Sequence, residues 1–217
     1  MFRTIRKDEI EATALQMAES FCDYPLYDVF FPDGQNRVQR IFYFFWYRMY
    51  TRQRYTYISE DGELLCSVKK PGDRDTSPLG LFLNPRFLLG FVRYIPLSAL
   101  RLVREYGQME SKYQSRFYDP QTDWYVQAVC VLKQARGNGA FLRAVKEMEQ
   151  GAPIFCETHT SRNQRLYTLL GLETCAEESW HGVTHYVMHR GPVELSKTQK
   201  SSNPLSKTFS QERNESI

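Results

Sequence analysis

The sequence predicts an α/β domain in which helices flank a mixed β-sheet, and two patterns lead to this prediction. Strand-like runs at residues 55–59 and 64–69 are joined by Asp61-Gly62, a dipeptide typical of the tight turn in an antiparallel hairpin. Beyond residue 124, strand-like and helix-like segments alternate. Such alternation implies a sheet with helices packed on its faces.

The first half of the chain adds a short strand at residues 2–5 and helices at 8–21, 36–52 and 97–113, the helices predicted from apolar side chains at three- and four-residue steps. Pro25 and the run Pro32-Asp33-Gly34 predict a loop between the first two helices.

Two sides of the 36–52 helix differ in composition. One side carries Val38, Ile41, Phe42, Phe45 and Met49, and this spacing predicts a face buried in the core. The other side carries Tyr43, Tyr47 and Tyr50. These tyrosines either form an amphipathic rim or line a binding pocket, and the sequence leaves both interpretations open.

The second half begins with residues 124–131, an apolar run interrupted only by Gln127, which predicts a buried central strand. The predicted elements that follow are a helix at 138–150, a strand at 153–157, a helix at 163–170 and strands at 172–176 and 184–189. After Pro192 the chain is polar and has few large apolar residues. We therefore expect one domain over residues 1–191 and a disordered tail over 192–217.

Composition narrows the class of protein. The net charge of +3 is too small to indicate a nucleic acid or an anionic membrane as partner, and we expect neither. The five cysteines include no Cys-x-x-Cys pair, so no metal site is predicted and free thiols in a reducing, cytoplasmic compartment are expected. The most membrane-like stretch, residues 79–97, contains two prolines and two arginines. It is predicted to be buried against the domain, with a surface-lying amphipathic segment as the alternative.

A glycine-containing turn separates the predicted central strand from the next helix. Its residues are Gln134, Ala135, Arg136, Gly137, Asn138, Gly139 and Ala140. A helix N-terminus offers unpaired backbone N–H groups and positive potential, and glycines allow an anion to approach the backbone closely. The segment therefore suits a pyrophosphate, although a turn that merely links strand to helix explains it equally well when it is taken alone.

A second block follows about two dozen residues later. It runs from Glu157 through His159 and Asn163 to Tyr167 and ends in Gly171-Leu172. The turn resembles the Q/R-x-x-G-x-G/A cofactor loop of the GNAT N-acetyltransferase superfamily, and the second block resembles that superfamily's E-T…N…F-Y…G-F segment. The resemblance covers residues 124–190 well and the first hundred residues more loosely.

Within the superfamily the chain is most similar to puromycin N-acetyltransferase and its relatives, whose H-W-F/Y-L entry into the central strand resembles the segment 123–126. Three positions depart from that pattern. Asp123 stands in place of a histidine, His159 in place of a serine, and Leu172 in place of a phenylalanine. The first two changes bear on the choice of acceptor.

The resemblance implies an acetyl-CoA-dependent enzyme that needs no metal. The turn at 134–140 would bind the pyrophosphate, backbone groups of Val129 and Val131 the pantetheine arm, and Asn163 would hydrogen-bond that arm. Tyr167 would protonate the departing thiolate. For the general base, Asp123, Glu157, His159 and Glu173 are all candidates and none is assigned.

The resemblance leaves the acceptor and the assembly open. A primary amine on a small molecule is expected. A peptide or protein amine is the alternative within the enzyme class, and a CoA-binding module without turnover is the alternative outside it. We expect a monomer or a homodimer.

Overall fold

The computed structural model describes residues 2–32, 34–132, 135, 139, 141 and 153–191. The strands in this part of the chain are β1 (Phe2–Thr4), β2 (Thr56–Ser59), β3 (Leu64–Lys69), β4 (Trp124–Val131), β5 (Ile154–Thr158), β6 (Glu173–Trp180) and β7 (Val183–Arg190). They form one seven-stranded sheet in the order β1-β2-β3-β4-β5-β7-β6. The pair β4–β5 is parallel and the other pairs are antiparallel. The predicted mixed α/β fold is therefore confirmed.

Helices cover both faces of this sheet. Those in the described ranges are α1 (Ile10–Phe21), α2 (Pro25–Phe30), α3 (Arg37–Thr51), α4 (Leu79–Phe82), α5 (Pro85–Tyr94), α6 (Leu97–Phe117) and α7 (Ser161–Leu169). Side chains of α1, α2, α3 and α6 share the main core with Tyr125 of β4, Phe155 of β5 and Val187 of β7. On the opposite face, Tyr167 of α7 packs against a cluster that contains Cys156 and Met188. The sheet thus lies between two layers that both contribute helices.

The core face predicted for α3 is confirmed. Ile41, Phe45 and Met49 are fully buried, and Val38 and Phe42 pack against them. The pattern works because side chains three and four residues apart share one face of a helix, which here lies on α1.

The tyrosines on the other side of α3 do not line the cavity of the candidate site, and two of them pack against neighbouring helices. The ring of Tyr43 stacks on Tyr94 with 5.6 Å between centroids, and that of Tyr47 contacts Phe82 at 6.2 Å. Tyr50 borders a separate cavity beside Gly80. These three rings support α4 and α5 instead.

Two segments between the predicted elements are helical. The predicted loop after Pro25 contains α2, which starts with this proline in its first turn. Proline is favoured there because that position has no intrahelical partner for an N–H group. In the same way Asn84 caps α5, where its Oδ1 accepts hydrogen bonds from the N–H groups of Arg86 (3.0 Å) and Phe87 (3.3 Å), ahead of Pro85.

The expected burial of residues 79–97 holds for one side of that segment only. Leu81, Phe87 and Gly90 are buried, whereas Leu83, Leu89 and Val92 are 72–76% exposed. The segment is therefore an amphipathic pair of surface helices, the alternative that the sequence left open. Among the described residues, no helix is both long enough and apolar enough to cross a membrane.

The cysteines are not joined by disulfide bonds, as their spacing in the sequence predicted. All five cysteines lie in the described ranges, and all are free thiols. Burial raises the pKa of the Cys66 thiol to about 12, which keeps it protonated as a core side chain.

Candidate active site

The central feature of the site is the divergence of the parallel strands β4 and β5. The two strands pair at Trp124–Ile154, Tyr125–Phe155 and Val126–Cys156, and no further pair follows although both strands continue. At this point the register of β3 against β4 also shifts, which leaves Gln127 as the extra residue of a β-bulge. A bulge bends its strand and increases the local twist. The bulge therefore accounts for a gap that opens between β4 and β5.

The backbone of β4 directs two N–H groups toward this gap. The N–H of Leu132 donates to the carbonyl oxygen of Glu63 at 2.9 Å, so it points toward β3. Successive N–H groups along a strand point to opposite edges, so the N–H of Cys130 has the same direction as that of Leu132. The N–H groups of Val129 and Val131 therefore point to the edge that faces β5, beyond the last pair between β4 and β5. Their predicted contact with a ligand arm is compatible with this direction.

A cavity lies in this opening and continues beneath α1, α2 and α6. Residues from seven elements line it: Phe21, Tyr24, Leu26, Tyr27, Phe45, Arg48, Tyr106, Glu110, Tyr125, Val126, Gln127, Ala128, Val129, Cys156, Glu157, Thr158, His159, Asn163 and Tyr167. The lining combines aromatic rings with a few charged groups. This composition is typical of a site that binds a small organic molecule and orients it by polar contacts.

Asn163 and Tyr167 enter the cavity from α7. Thr160 begins this helix, because its side-chain oxygen accepts a hydrogen bond from the N–H of Asn163 at 3.2 Å. Asn163 and Tyr167 are four positions apart, so their side chains share one face of the helix. Burial raises the pKa of Tyr167 far above the ordinary value for a phenol. The hydroxyl is therefore protonated at neutral pH, and the same shift makes it a weaker acid than a free phenol.

The ring of Tyr167 also connects the two sequence blocks. It packs against the ring of Phe141, with 5.7 Å between centroids. Phe141 directly follows the predicted cofactor turn. In that turn, Ala135 is buried and donates its N–H to the oxygen of Leu132 at 2.9 Å, and Gly139 has a positive φ of 78°. Gln134, Arg136, Gly137, Asn138 and Ala140 lie outside the described residues, as does the helix predicted at 138–150 apart from Gly139 and Phe141.

A buried network of tyrosines and histidines forms the other wall. Nε2 of His159 lies 2.9 Å from Oη of Tyr106 and 3.0 Å from Nδ1 of His185. Its Nδ1 lies 3.2 Å from Oη of Tyr24, and the backbone N–H of His159 donates to the same oxygen at 2.8 Å. Three polar side chains thus fix the orientation of one imidazole, and the backbone N–H of the same residue holds one of the three in place.

The network continues to Glu157, whose side chain is only 5% exposed. Its Oε2 accepts a short hydrogen bond from the hydroxyl of Tyr125. Its Oε1 lies 3.4 Å from Nε2 of His185, but the angle does not suit a hydrogen bond, and neither atom has a hydrogen-bond partner among the described residues. A buried carboxylate oxygen that accepts no hydrogen bond destabilises the folded protein, so a bound hydrogen-bond donor would be favourable here. Glu157 Oε1 is therefore an acceptor suited to a bound cation.

Glu110 is the second carboxyl group at the cavity. Burial, and then the neighbouring charge of Glu157, raise its pKa to about 7, although Arg48 and Arg52 oppose the shift. Arg48 interacts electrostatically with Glu110 in return, which raises the pKa of the guanidinium. A carboxyl group that titrates near neutral pH can accept a proton at one moment and release it at the next.

His159 has the opposite character. Burial, and then the proximity of His185, lower its pKa to about 3. Its ring is therefore uncharged at neutral pH and binds a proton only weakly. Of the four base candidates from the sequence, His159 lies in the cavity but is poorly suited to hold a proton.

Two of the other candidates lie away from the cavity. Asp123 precedes the paired end of β4, where it accepts hydrogen bonds from the N–H of Asp119 (2.9 Å) and from the hydroxyl of Thr122 (2.8 Å) and lies 3.1 Å from Nε2 of His189. Glu173 is an exposed residue of β6 opposite His189. Neither lines the cavity, so Glu157 is the one candidate carboxylate that the structure brings to it.

Sequence reasoning missed Tyr24, Arg48, Tyr106, Glu110 and His185. They come from four elements far apart in the chain, and only the packing of α2, α3 and α6 on the sheet brings them together. One signal was present. Tyr106, Met109, Tyr113 and Phe117 form the buried stripe of α6, and Glu110 is a carboxylate beside that stripe.

Comparison with known proteins adds evidence for the fold. No protein-family model matches the sequence, and no curated protein matches it significantly. Among solved structures, "histone acetyltransferase HPA2 and related acetyltransferase" from Corynebacterium glutamicum aligns with a TM-score of 0.57 at 16% identity, covering 88% of this chain and 96% of that one.

The C-terminal condensation domain of Ebony, solved in complex with beta-alanyl-dopamine, aligns equally well. Its TM-score is 0.57 at 12% identity, and the alignment covers 88% of this chain and 97% of that domain. The similarity to puromycin N-acetyltransferase stays a prediction. At these identities the likeness establishes architecture: the chain has the fold of the GNAT-type acetyltransferases.

Proposed function

We propose that this chain is an N-acetyltransferase that transfers the acetyl group of acetyl-CoA to a primary amine on a small molecule. The observation that carries the proposal is the gap between β4 and β5, with a backbone N–H on one side and Asn163 and Tyr167 at its opening. In this arrangement an extended acyl carrier can bind along a strand edge while a proton donor faces its reactive end.

The described residues fit such a carrier. The amides at the β5 edge of β4 suit the amide groups of a pantetheine arm, and Asn163 supplies a further polar group from α7. Gly139 at positive φ fits a turn in which the backbone approaches a phosphate. Acetyl-CoA would supply a thioester, which makes the acetyl carbon electrophilic. We assign the 134–140 turn to its pyrophosphate, as the motif predicts.

The N–H of Val129 is our candidate for stabilising negative charge. It would donate to the carbonyl oxygen of the acetyl group as the amine attacks. A preorganised donor in a site shielded from water is worth roughly 10²–10³-fold in rate in other acyl transfers. Its position in a strand makes it rigid, because β3 pairs with the same stretch of β4.

The acceptor would bind on the side of Glu110 and Glu157. A primary amine arrives as an ammonium ion, and the oxygen Oε1 of Glu157 is placed in the wall to accept a hydrogen bond from it. Glu110 would take the proton, since its raised pKa matches the working pH. The rings of Phe21, Tyr27 and Phe45 would enclose the apolar part of the acceptor.

Tyr167 would complete the transfer. Its neutral hydroxyl would donate a proton to the sulfur as the carbon–sulfur bond breaks, because a free thiolate is the poorer leaving group. The nitrogen loses its second surplus proton to solvent as the amide forms, and a solvent proton restores the phenol. The aromatic enclosure favours a small acceptor over a protein substrate, because the cavity lies beneath α1, α2 and α6.

Release of CoA thiol from acetyl-CoA, measured across a panel of aromatic, aliphatic and peptide amines, tests this proposal. We expect turnover with small apolar amines, and an acetylated product by mass spectrometry. Turnover with peptide amines alone would assign a peptide acceptor. Tight acetyl-CoA binding in calorimetry without turnover on any amine would favour the CoA-binding module.

The cofactor turn has its own test. Gly137→Glu places a bulky anion in the predicted phosphate-binding segment. We expect acetyl-CoA affinity to fall about tenfold or more, since each hydrogen bond to a charged group contributes roughly 1.5–3 kcal/mol. Unchanged affinity in a folded variant would remove the turn from the site.

A further inference from the structure

An exposed apolar face lies on α4, α5 and the start of α6, away from the cavity. Leu83, Leu89, Val92 and Leu97 are 76%, 73%, 72% and 84% exposed, and Leu79 and Leu88 are exposed beside them. In α5 these side chains stand opposite Phe87, which is buried against Trp46 and Phe82. Single exposed aliphatic side chains are common, but six within nineteen residues, five leucines and Val92, are unusual for a surface that faces water.

The charged residues within this segment of the chain are all basic. Residues 76–104 contain four arginines (Arg86, Arg93, Arg101 and Arg104) and no Asp or Glu. All four are exposed. Arg86 pairs with Glu11 from α1, and Arg101 pairs with Glu105 at the next turn of α6. For Arg93 and Arg104 the described residues show no ion pair, so their charge remains available to an anionic partner.

We propose that this face binds the surface of an anionic lipid bilayer, with the leucines inserted below the headgroups and the arginines among them. Helices that lie in a membrane interface have this composition: leucine on one side, basic residues at its border and no acidic residue within it. Binding is peripheral, since α4 and α5 are far too short to span a bilayer. Composition alone predicted no membrane partner, and the exposure of the leucines leads to a different inference.

Two other occupants fit less well. A second copy of the chain would bring arginines against arginines across a two-fold axis, which is unfavourable. A peptide partner needs a groove, whereas these leucines protrude, with about three quarters of their surface exposed. A fluid lipid surface suits protruding apolar side chains and basic residues at their margin.

Co-sedimentation of the full chain with vesicles tests the proposal. We expect binding to vesicles of phosphatidylcholine mixed with phosphatidylserine, weaker binding to phosphatidylcholine alone, and a loss on raising the salt concentration. The double variant Leu89→Gln/Val92→Gln should reduce binding about tenfold or more, because two apolar side chains no longer enter the lipid. Leu169→Gln is the matched control: it removes an equally exposed leucine from α7 and should leave binding unchanged.

A charge variant tests the arginines separately. Arg93→Glu/Arg104→Glu should abolish the preference for phosphatidylserine, while Arg116→Glu at the far end of α6 should not. Thermal unfolding of each variant establishes that it is folded. No sedimentation of the wild-type chain with either vesicle, or equal sedimentation of the leucine variant, would overturn the proposal. A wild-type dimer in analytical ultracentrifugation that Leu89→Gln/Val92→Gln converts to monomer would overturn it too, and would assign the face to self-association.

Discussion

Val126 and Cys156 form the last pair between β4 and β5, and the candidate site begins directly beyond them. One residue later Gln127 forms the bulge that bends β4 away. Backbone pairing, rather than any one side chain, therefore sets the position of the gap. The same strands carry Val129 and Glu157 into the cavity from opposite sides, so the divergence separates the proposed oxyanion donor from the proposed acceptor side.

Tyr167→Phe tests the proton donor. We expect kcat to fall by about 10²–10⁴-fold, because the phenyl ring keeps the packing on Phe141 but cannot donate a proton. The KM for acetyl-CoA should change little. Tyr57→Phe on β2, outside the cavity, is the matched control and should keep full activity. An unchanged rate in Tyr167→Phe would remove this residue from the chemistry.

Glu110 predicts the pH dependence of the reaction. Its pKa is raised to about 7, so the carboxylate form that accepts a proton is lost as the pH falls below that value. We expect kcat/KM of the wild type to rise as the pH increases through about 7. Glu110→Gln should have a lower kcat/KM that does not show this rise. Glu105→Gln, which changes a partly exposed carboxylate on the same helix and outside the cavity, should keep the wild-type profile. A wild-type rate that stays constant as the pH passes through about 7 would contradict the assignment.

Asp123 should matter for stability rather than for chemistry. Asp123→Ala removes the group that lies at 3.1 Å from the buried His189 and leaves the N–H of Asp119 without its acceptor. We expect the free energy of unfolding to fall by about 2–4 kcal/mol in urea titrations. Glu173→Ala, at an exposed site, should change it by no more than about 0.5 kcal/mol. Loss of turnover in a folded Asp123→Ala protein would instead point to a role in the reaction.

Two helical glycines should respond oppositely to alanine. At Gly90 of α5 a Cβ atom would overlap the hydroxyl and ring of Tyr43, whereas at Gly107 of α6 it would meet open space. Gly107→Ala should therefore stabilise the protein by about 0.5–1 kcal/mol, the usual gain in a helix interior. Gly90→Ala should lower the melting temperature, because the overlap with Tyr43 outweighs the same gain in helix propensity. If both variants behaved alike, the packing of α5 on Tyr43 would be wrong.

The fold was predictable where periodicity is strong. The seven strands, α1, α3 and α6 all follow from spacing of apolar residues or from turn residues between them. The helices α2, α4 and α5 were missed for a physical reason: proline in the first turn starts a helix as readily as it ends one. For α5 the signal was Asn84 ahead of Pro85, an N-cap followed by a favoured first residue.

The candidate site was predictable only where its residues are local. Asn163 and Tyr167 share one turn of α7 within a motif, so the sequence could pair them. The partners of Glu157 could not be found in this way, because Glu110 and His185 come from α6 and β7. Their proximity is a consequence of how α6 crosses the sheet, which periodicity does not encode.

A crystal structure with bound CoA tests the central claim most directly. We expect the pantetheine arm to lie in the gap between β4 and β5, hydrogen-bonded to the backbone of Val129, with its sulfur beside the hydroxyl of Tyr167. CoA bound elsewhere, or β4 and β5 paired continuously past Val126 and Cys156 so that no gap exists, would contradict the account.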